Sequence, residues 1–414
     1  MARRVQGDSM RTLVVAGEYP WPVNSGSRLR LASILRGLVR CGPVDLFSAL
    51  PDARSDIDVP DLTVGLDRVA HVAYDDRPPT GVGLARTALV PWTPFEVPRP
   101  DGGRVMTQLT EFARGSYDLV WYFGMRPWLL AGGLEAAPGI LDLVDLEDEK
   151  ITARMAVASS ARHAPVERMR GLASRAFSAE EVRRWRRLQR RASAAAAATV
   201  VCSELDAERA RATGLSCVNV VPNGYRHVAH PVGRSQAGRP PTVLFQGTLR
   251  YPPNAEAARF LVDEVVPHLR QLVPDAEVRL VGTTAPGLER LGDAPGVTLV
   301  GQVPDIDDEL ARADLVVVPI RFGSGTRLKV LEAFAQKIPV VSTGLGAEGL
   351  DAEDGVHLLV AEEPEDLARC CAQLLADGEL RVRLADQAHQ LFLERFTDGV
   401  VEDMVEALAR ATAR

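Results

Sequence analysis

Short runs of Val, Leu and Ile, each closed off by turn residues, alternate with helix-patterned stretches along this chain, and the alternation runs through twice. A strand that is apolar on both sides has to be covered on both sides, and parallel strands need a long crossover between them. Such alternation therefore demands parallel sheets clothed by helices, an α/β architecture. In the first series the spacing predicts strands at Arg11–Gly17, Val44–Ala49, Leu119–Phe123, Ile140–Val144, Thr199–Cys202 and Val218–Val221, with helices at Arg28–Cys41 and Glu180–Ala198. The stretch His230–Pro241, rich in Gly, Pro, Ser and Arg, has no apolar period and reads as a linker. The second series then predicts strands at Thr242–Gln246, Glu277–Gly282, Val297–Val300, Asp314–Pro319, Pro339–Thr343 and near Val356–Val360. Helices are expected at Asn254–Leu272, Ile306–Arg312 and Arg327–Gln336, followed by three more to the end. The terminal one, from Gly399 to Arg414, carries Val400, Met404, Ala407 and Leu408 at helical spacing.

A length of 414 residues suits two or three domains, and 46% hydrophobic with 25% charged residues excludes intrinsic disorder and fibrous repeats. The net charge of -7 argues against a protein that wraps nucleic acid. Residues 1–225 are basic by 3 and residues 226–414 acidic by 10. The basic excess concentrates in Glu180–Arg191, where Trp185 and Leu188 among arginines fit either a lipid-facing helix, and so a peripheral membrane contact, or an ordinary solvated one. Five cysteines without CxxC spacing suggest reduced core thiols. No apolar run reaches the length of a membrane span and the N-terminus lacks an apolar signal region, so a cytoplasmic location is expected.

The chain has 45 Arg and only three lysines, Lys150, Lys329 and Lys337, and Lys329 lies in the most distinctive motif, PIRFGSGTRLKVLEAFAQKIPVVST. Its glycines let backbone N–H groups approach an anion, and a helix start adds about half a positive charge, so Gly323, Ser324, Gly325 and Thr326 are placed to receive phosphate oxygens. Arg327 and Lys329 oppose the helix dipole unless an anion is bound there. Glu332, three residues after Lys329, is spaced to accept hydrogen bonds from ribose hydroxyls. The same spacing also fits a plain surface ion pair.

This run, with GQVPDIDDELARADLVVVP before it, resembles the donor-binding region of GT-B glycosyltransferases of family GT4. VVAGEYPWPVNSGSRLR, VVCSELDAERA with VVPNG, and FQGTLRYPPNAEAARFL extend the resemblance over most of the chain. PPN and LVDLEDEK look like sugar transferases of polysaccharide and exosortase-type clusters. The resemblance implies two Rossmann-like doubly wound domains facing a central cleft. Residues 1–229 would bind the acceptor, 242–396 the nucleotide-sugar donor, and 397–414 would form a helix returning to the first domain. It further implies a retaining transferase without metal or other cofactor, and a nucleotide-diphosphate sugar as co-substrate. Arg327 and Lys329 would stabilise the leaving diphosphate, and Asp145, which the family pattern does not supply, is expected to accept the acceptor's proton or else to cap its loop. Gly26, Gly247, Thr248, Arg250, Gln302, Val303, Ser324, Gly325, Thr326, Leu331 and Glu332 would bind the donor, and Asp148 with Trp128 would meet the acceptor.

Two positions depart from the family pattern. Ser324 stands where many members have a first Glu, and ILDLVDLEDEK offers Asp145 and Asp148 where a histidine is common. A nucleotide-sugar epimerase or hydrolase on the same scaffold, and a catalytically silent nucleotide-binding partner subunit, remain alternatives. Asp307 and Asp308 read as helix caps.

Overall fold

The computed structural model describes residues 9–23, 25–51, 65–74, 94–95, 102–131, 134, 137–160, 165–231, 239–323 and 327–413. The chain divides into two compact units, one of residues 1–224 with 399–414 and the other of residues 225–398. Of the linker expected at 230–241, residues 232–238 lie outside the described residues. The division falls earlier, at Gly224 and Tyr225, because Tyr225 is tied to the far end of its own unit. Its N–H donates to Phe396 O (2.8 Å), and it accepts from Asp398 N–H (3.0 Å).

In the first unit the strands are β1 (Thr12–Ala16), β2 (Val44–Pro51), β3 (Arg68–Tyr74), β4 (Leu119–Phe123), β5 (Gly139–Asp142), β6 (Ala198–Val201) and β7 (Val218–Val220). They pair in parallel in the order β3-β2-β1-β4-β5-β6-β7. The helices are α1 (Gly26–Val39), α2 (Gly102–Phe112), α3 (Met125–Ala131), α4 (Glu147–Ser160), α5 (Pro165–Ala195) and α6 (Glu204–Ala212). The second unit has β8 (Thr242–Gln246), β9 (Glu277–Val281), β10 (Val297–Gly301), β11 (Leu315–Val318), β12 (Val340–Ser342) and β13 (Leu359–Val360), ordered β10-β9-β8-β11-β12-β13. Its helices are α7 (Pro252–Phe260), running through Leu261–Val265 into α8 (Val266–Leu272), then α9 (Asp307–Leu310), α10 (Leu328–Ala335), α11 (Gly344–Ala347), α12 (Pro364–Ala376) and α13 (Gly378–Arg395). Both sheets are α/β and doubly wound, as expected. Each reverses its winding once, between β1 and β4 and between β8 and β11, and a crevice outside the strand C-termini opens at such a point. β3, α2, α3, α4, α6 and the short α11 had no counterpart among the sequence-predicted elements. For β3 the reason is its place at an edge: only Val72 and Tyr74 are buried, so the uninterrupted apolar signal of a central strand is missing.

The last helix, α14 (Asp398–Thr412), belongs to the first unit. Its inner face is Val401, Val405 and Ala409, while Met404 is 37% exposed, so the expected stripe is offset from the true one. The reason is contact with α1. A Cβ on Gly37 would lie 2.8 Å from Val405 Cβ and 2.9 Å from Glu402 O, so the two helices close on a residue with no side chain. Glu402 is pulled in alongside by Arg36 (2.6 Å) and Arg40 (2.5 Å).

A fully buried ion pair in this unit joins α1 to β5. Arg30 donates through Nη2 to Asp142 Oδ1 (2.8 Å) and through Nη1 to Val221 O (2.8 Å) and Asn223 Oδ1 (3.0 Å). Trp121 Nε1 also donates to Asp142 Oδ2 (3.4 Å). Burial raises the Asp142 pKa, and the guanidinium opposes that influence. Trp185 and Leu188 of α5 lie in the same unit's core, so these two residues face inward and neither is left to enter a lipid surface. Of the cysteines, Cys41, Cys202 and Cys371 are core thiols, but Cys217 is exposed and Cys370 half-buried. Cys217 departs from the expectation because it forms the turn into β7, with φ of 49°. No helix among the described residues is long and apolar enough to cross a membrane.

Breaking a fully buried pair leaves an uncompensated charge, so Asp142→Ala is expected to lower stability by about 3 to 5 kcal/mol. Arg183→Ala removes only an exposed partner of Glu180 and should cost less than about 1 kcal/mol. Gly37→Leu should also destabilise the first unit by forcing α14 off α1. Urea unfolding of the three variants checks the order.

Candidate functional site

β8 and β11 are the strands at which the second sheet reverses, and the residues leaving them gather into one cluster. β8 ends at Gln246 and turns at Gly247, with φ of 138°. A Cβ there would meet Asn254 Nδ2 at 2.8 Å and Lys329 Nζ at 3.1 Å. Gly282, the turn after β9, backs the same loop so closely that a Cβ on it would lie 2.1 Å from Gly247 O. Gly247 N–H donates to Val281 O and Leu249 N–H to Thr283 O, both at 2.9 Å. The two strand-end turns are thereby zipped together, with Thr248 exposed.

From the β11 side the chain reaches Gly323, with φ of 115°, where a Cβ would stand 3.1 Å from Pro253 and 3.6 Å from Arg327 Nη1. Ser324, Gly325 and Thr326 lie outside the described residues. Arg327, 8% exposed, takes the N-cap position of α10. Lys329 follows in the first turn, donating to Asn254 Oδ1 (2.8 Å) with its Nζ 4.5 Å from the centre of the Phe245 ring. Enclosure of the ammonium, followed by the like charge of Arg327, drives its pKa down to about 7, although the residue as a whole keeps some surface.

Glu332 stands one turn on. Its Oε2 accepts from Gln246 Nε2 (2.7 Å), and burial raises its pKa against the pull of that hydrogen bond and of Lys329. The sequence pairing of Lys329 with Glu332 is therefore a buried relation around the end of β8, and a simple surface ion pair does not describe it. Two cations, a carboxylate and a glycine turn converge at one reversal point, an arrangement suited to a diphosphate with a hydroxyl-bearing group beside it.

The other donor residues proposed from sequence are spread around this cluster. Arg250 is exposed and touches Thr284 O through Nε (3.4 Å). Gln302, exposed, accepts from Thr283 Oγ1 (3.2 Å), and Val303 follows it half-buried after β10. Leu331 is fully buried, so its side chain packs the core of the second unit. Asp307 and Asp308 are in the first turn of α9, but neither caps it: the N-cap is Ile306, which makes no side-chain cap bond, and Asp305 before it accepts from Asp307 N–H (3.0 Å). Asp307 is instead held by Arg226 and by Gln336 Nε2 (3.0 Å). Among the described residues, no three His, Cys, Asp or Glu side chains gather in a way that would hold a metal ion.

In the first unit, Gly26 opens α1 behind the N-cap Ser25, near the β1 side of the reversal. Trp128, on α3 after β4, is half-buried against the core. Asp145 follows β5 and pairs with Lys150 (2.7 Å), both about a quarter exposed. Asp148 is 1% exposed and takes Arg186 Nε on Oδ2 (2.8 Å) and Gln189 Nε2 on Oδ1 (2.9 Å), so its carboxylate fastens α4 to α5. Sequence reasoning passed over Gln246, Asn254, Arg30 and Asp142. A polar residue closing an apolar strand, as Gln246 and Asp142 do, was the available signal.

Residues 240–377 match the family model described as glycosyl transferases group 1. Among curated proteins the chain is similar to an exopolysaccharide phosphotransferase of Streptomyces coelicolor, 29% identical over 31% of this chain and 14% of that protein. It is also similar to the lipopolysaccharide core biosynthesis glycosyltransferase LpsE of Rhizobium meliloti, 34% identical over 18% of this chain and 22% of that one. The chain thus spans well under half the length of these curated relatives. Among solved structures, HepE of Anabaena in complex with UDP and glucose aligns over 97% of this chain and all of that chain, with TM-score 0.65 and 18% identity. Sucrose-phosphate synthase of Thermosynechococcus elongatus aligns over 97% and 98%, with TM-score 0.69 and 16% identity. These likenesses show the fold, which is GT-B.

A side chain at Gly282 has no room against Gly247 O, so Gly282→Ala should displace the β8 turn and lower the melting temperature. Gly247→Ala has a softer clash, with side-chain amide and amine. It should leave folding closer to wild type but weaken binding of any anion at Lys329. Differential scanning fluorimetry with and without nucleoside diphosphates separates the two effects.

Proposed function

We propose that this chain, which carries the glycosyl transferases group 1 region in residues 240–377 and the GT-B fold over nearly all its length, moves a sugar from a nucleoside diphosphate sugar to an acceptor hydroxyl or amine. Transfer is proposed to retain the anomeric configuration and to need no metal. The observation that carries this reading is the convergence of Arg327, Lys329, Glu332 and the Gly247 turn where β8 and β11 part. As the glycosidic bond breaks, negative charge grows on the leaving diphosphate. Two fixed cations in a partly water-excluded place favour that state over the intact donor. Glu332 is assigned to the ribose hydroxyls, with the exposed loop at Gln302 and Val303 assigned to the base. Retention rests on the family resemblance.

UDP-glucose is the first donor to test, because a fold relative was crystallised with it and with UDP. The curated relatives bear names from exopolysaccharide and lipopolysaccharide biosynthesis. They support a growing glycan or lipid-linked sugar over a small metabolite as the acceptor, and the cytoplasm is proposed as the place of reaction. In the first unit Asp145 is assigned the acceptor's proton and Trp128 a stacking contact with the acceptor. The close engagement of Asp148 with α5 leaves it the lesser part.

Lys329→Ala should weaken nucleoside diphosphate binding and reduce turnover about 100-fold or more. Lys337→Ala, which removes an exposed pairing with Asp386, should do neither. Equal small effects would misplace the phosphate site. Asp145→Asn should lower turnover at saturating substrate by at least about 100-fold, and near-wild-type turnover would remove Asp145 from the chemistry. Incubation of the enzyme with UDP-glucose and no acceptor should yield neither an epimer nor rapid release of free glucose.

A further inference from the structure

α7 begins Pro252-Pro253, and prolines have no N–H. The first N–H of the helix, that of Asn254, is already spent on Tyr251 O (3.0 Å). This helix start therefore has little backbone to offer an anion, although its first turn lies against both glycine turns of the site. What it contributes instead is one side chain. Asn254 is 8% exposed, and both ends of its amide are engaged. Oδ1 accepts from Lys329 Nζ (2.8 Å), and Nδ2 donates to Thr248 O (3.0 Å). A flipped amide would set NH2 against an ammonium and oxygen against a carbonyl, so the two contacts fix the orientation together. Pro253, next to it, fills the space beside Gly323.

We propose that Asn254 is a positioning residue of the diphosphate site, holding the Lys329 ammonium and the Gly247–Thr248 turn in a single register so that the cation meets the donor's phosphates already aimed. This rests on the reading of the site as a nucleoside diphosphate site. Asn254 need not touch the donor. It acts through Lys329, whose other neighbours do different work: Phe245 offers only a ring face, Arg327 repels, and Glu332 attracts the ammonium while bonded to Gln246 on β8. The charged groups that face Lys329 are Arg327 and Glu332, both from its own segment. β8 and α7 present Phe245 and Asn254, and neither titrates.

A lysine whose pKa lies near 7 is only partly charged at neutral pH, so affinity for an anion should be highest below that value and fall as pH rises through it. Removing the Asn254 acceptor makes the ammonium still harder to keep, whereas a carboxylate in its place stabilises it. UDP binding is measured by isothermal titration calorimetry from about pH 6 to pH 9 on the full chain, with melting curves of each variant as the folding control. Asn254→Ala is expected to weaken UDP binding about tenfold at pH 7, the effect of one hydrogen bond to a charged group, and to shift the fall in affinity to lower pH. The near-isosteric Asn254→Asp, which keeps the test open if the alanine variant does not fold, should shift the fall to higher pH. Titration of UDP itself is common to all three proteins and cancels in the comparison. Opposite shifts are not what loosened packing would give. Folded variants whose pH profiles superimpose on that of the wild type overturn the role of Asn254 while leaving the site in place. A wild-type protein that binds none of UDP, GDP, ADP or dTDP overturns the reading of the site itself.

Discussion

Lys329 is an ammonium taken largely out of water and set beside a second cation, Arg327, and that arrangement carries a free-energy cost unless something negative or polar answers it. The second unit answers it in part with its own groups: the amide oxygen of Asn254, the face of Phe245, and Glu332 one helical turn away. The remainder of the charge points toward the turn after β8, where Gly247 has no side chain to stand in the way. Placement of the glycines, the prolines of α7 and the carboxamide of Gln246 follows from keeping that cation enclosed and reachable at once. A diphosphate is the ligand proposed to complete the balance, since it brings negative charge to a place where two cations meet.

The cluster arises at a reversal of strand order because only there do two neighbouring strand ends send their following loops apart, to opposite faces of the sheet. β8 leads to the Gly247 turn and α7, and β11 leads to Gly323 and α10. Gly247, Asn254, Arg327, Lys329 and Glu332, the residues of the candidate phosphate site, all come from those two exits. The same winding in the first unit places Gly26 behind β1 and Trp128 behind β4. Its central charge is handled differently. Arg30 and Asp142 are paired in full burial, with Asn223 and Val221 O taking the remaining guanidinium donors. That pairing holds α1, β5 and the segment leaving β7 together as scaffold.

An abundance of arginine made the first half of the chain look like a charged surface, yet the structure commits several of these residues to contacts that tie its own helices together. Arg186 fixes Asp148, and Arg36 and Arg40 hold the last helix through Glu402. Trp185 and Leu188, the residues that gave the basic helix a lipid-facing look, are packed among core side chains. An i, i+3 spacing says that two residues share a helix face, and gives no information on whether that face meets water or the sheet.

Much was legible in the linear order. Leu119–Phe123 and Thr242–Gln246 were readable to the residue, because a strand buried on both sides is an uninterrupted apolar run ended by turn formers, and nothing but local composition is needed to see it. The cations, the glycines and Glu332 were readable for a related reason, as they fall within one short stretch whose chemistry is complete in itself. Contacts between distant segments were out of reach. Asn254 and Lys329 are 75 residues apart, Arg30 and Asp142 are 112 apart, and Gly37 meets Val405 across nearly the whole chain. Sequence determined which groups were available and which elements would carry them. Tertiary structure alone decided which became partners, because burial and close approach depend on how separate elements pack, and no local pattern encodes the distance between residues that the chain brings together only after folding.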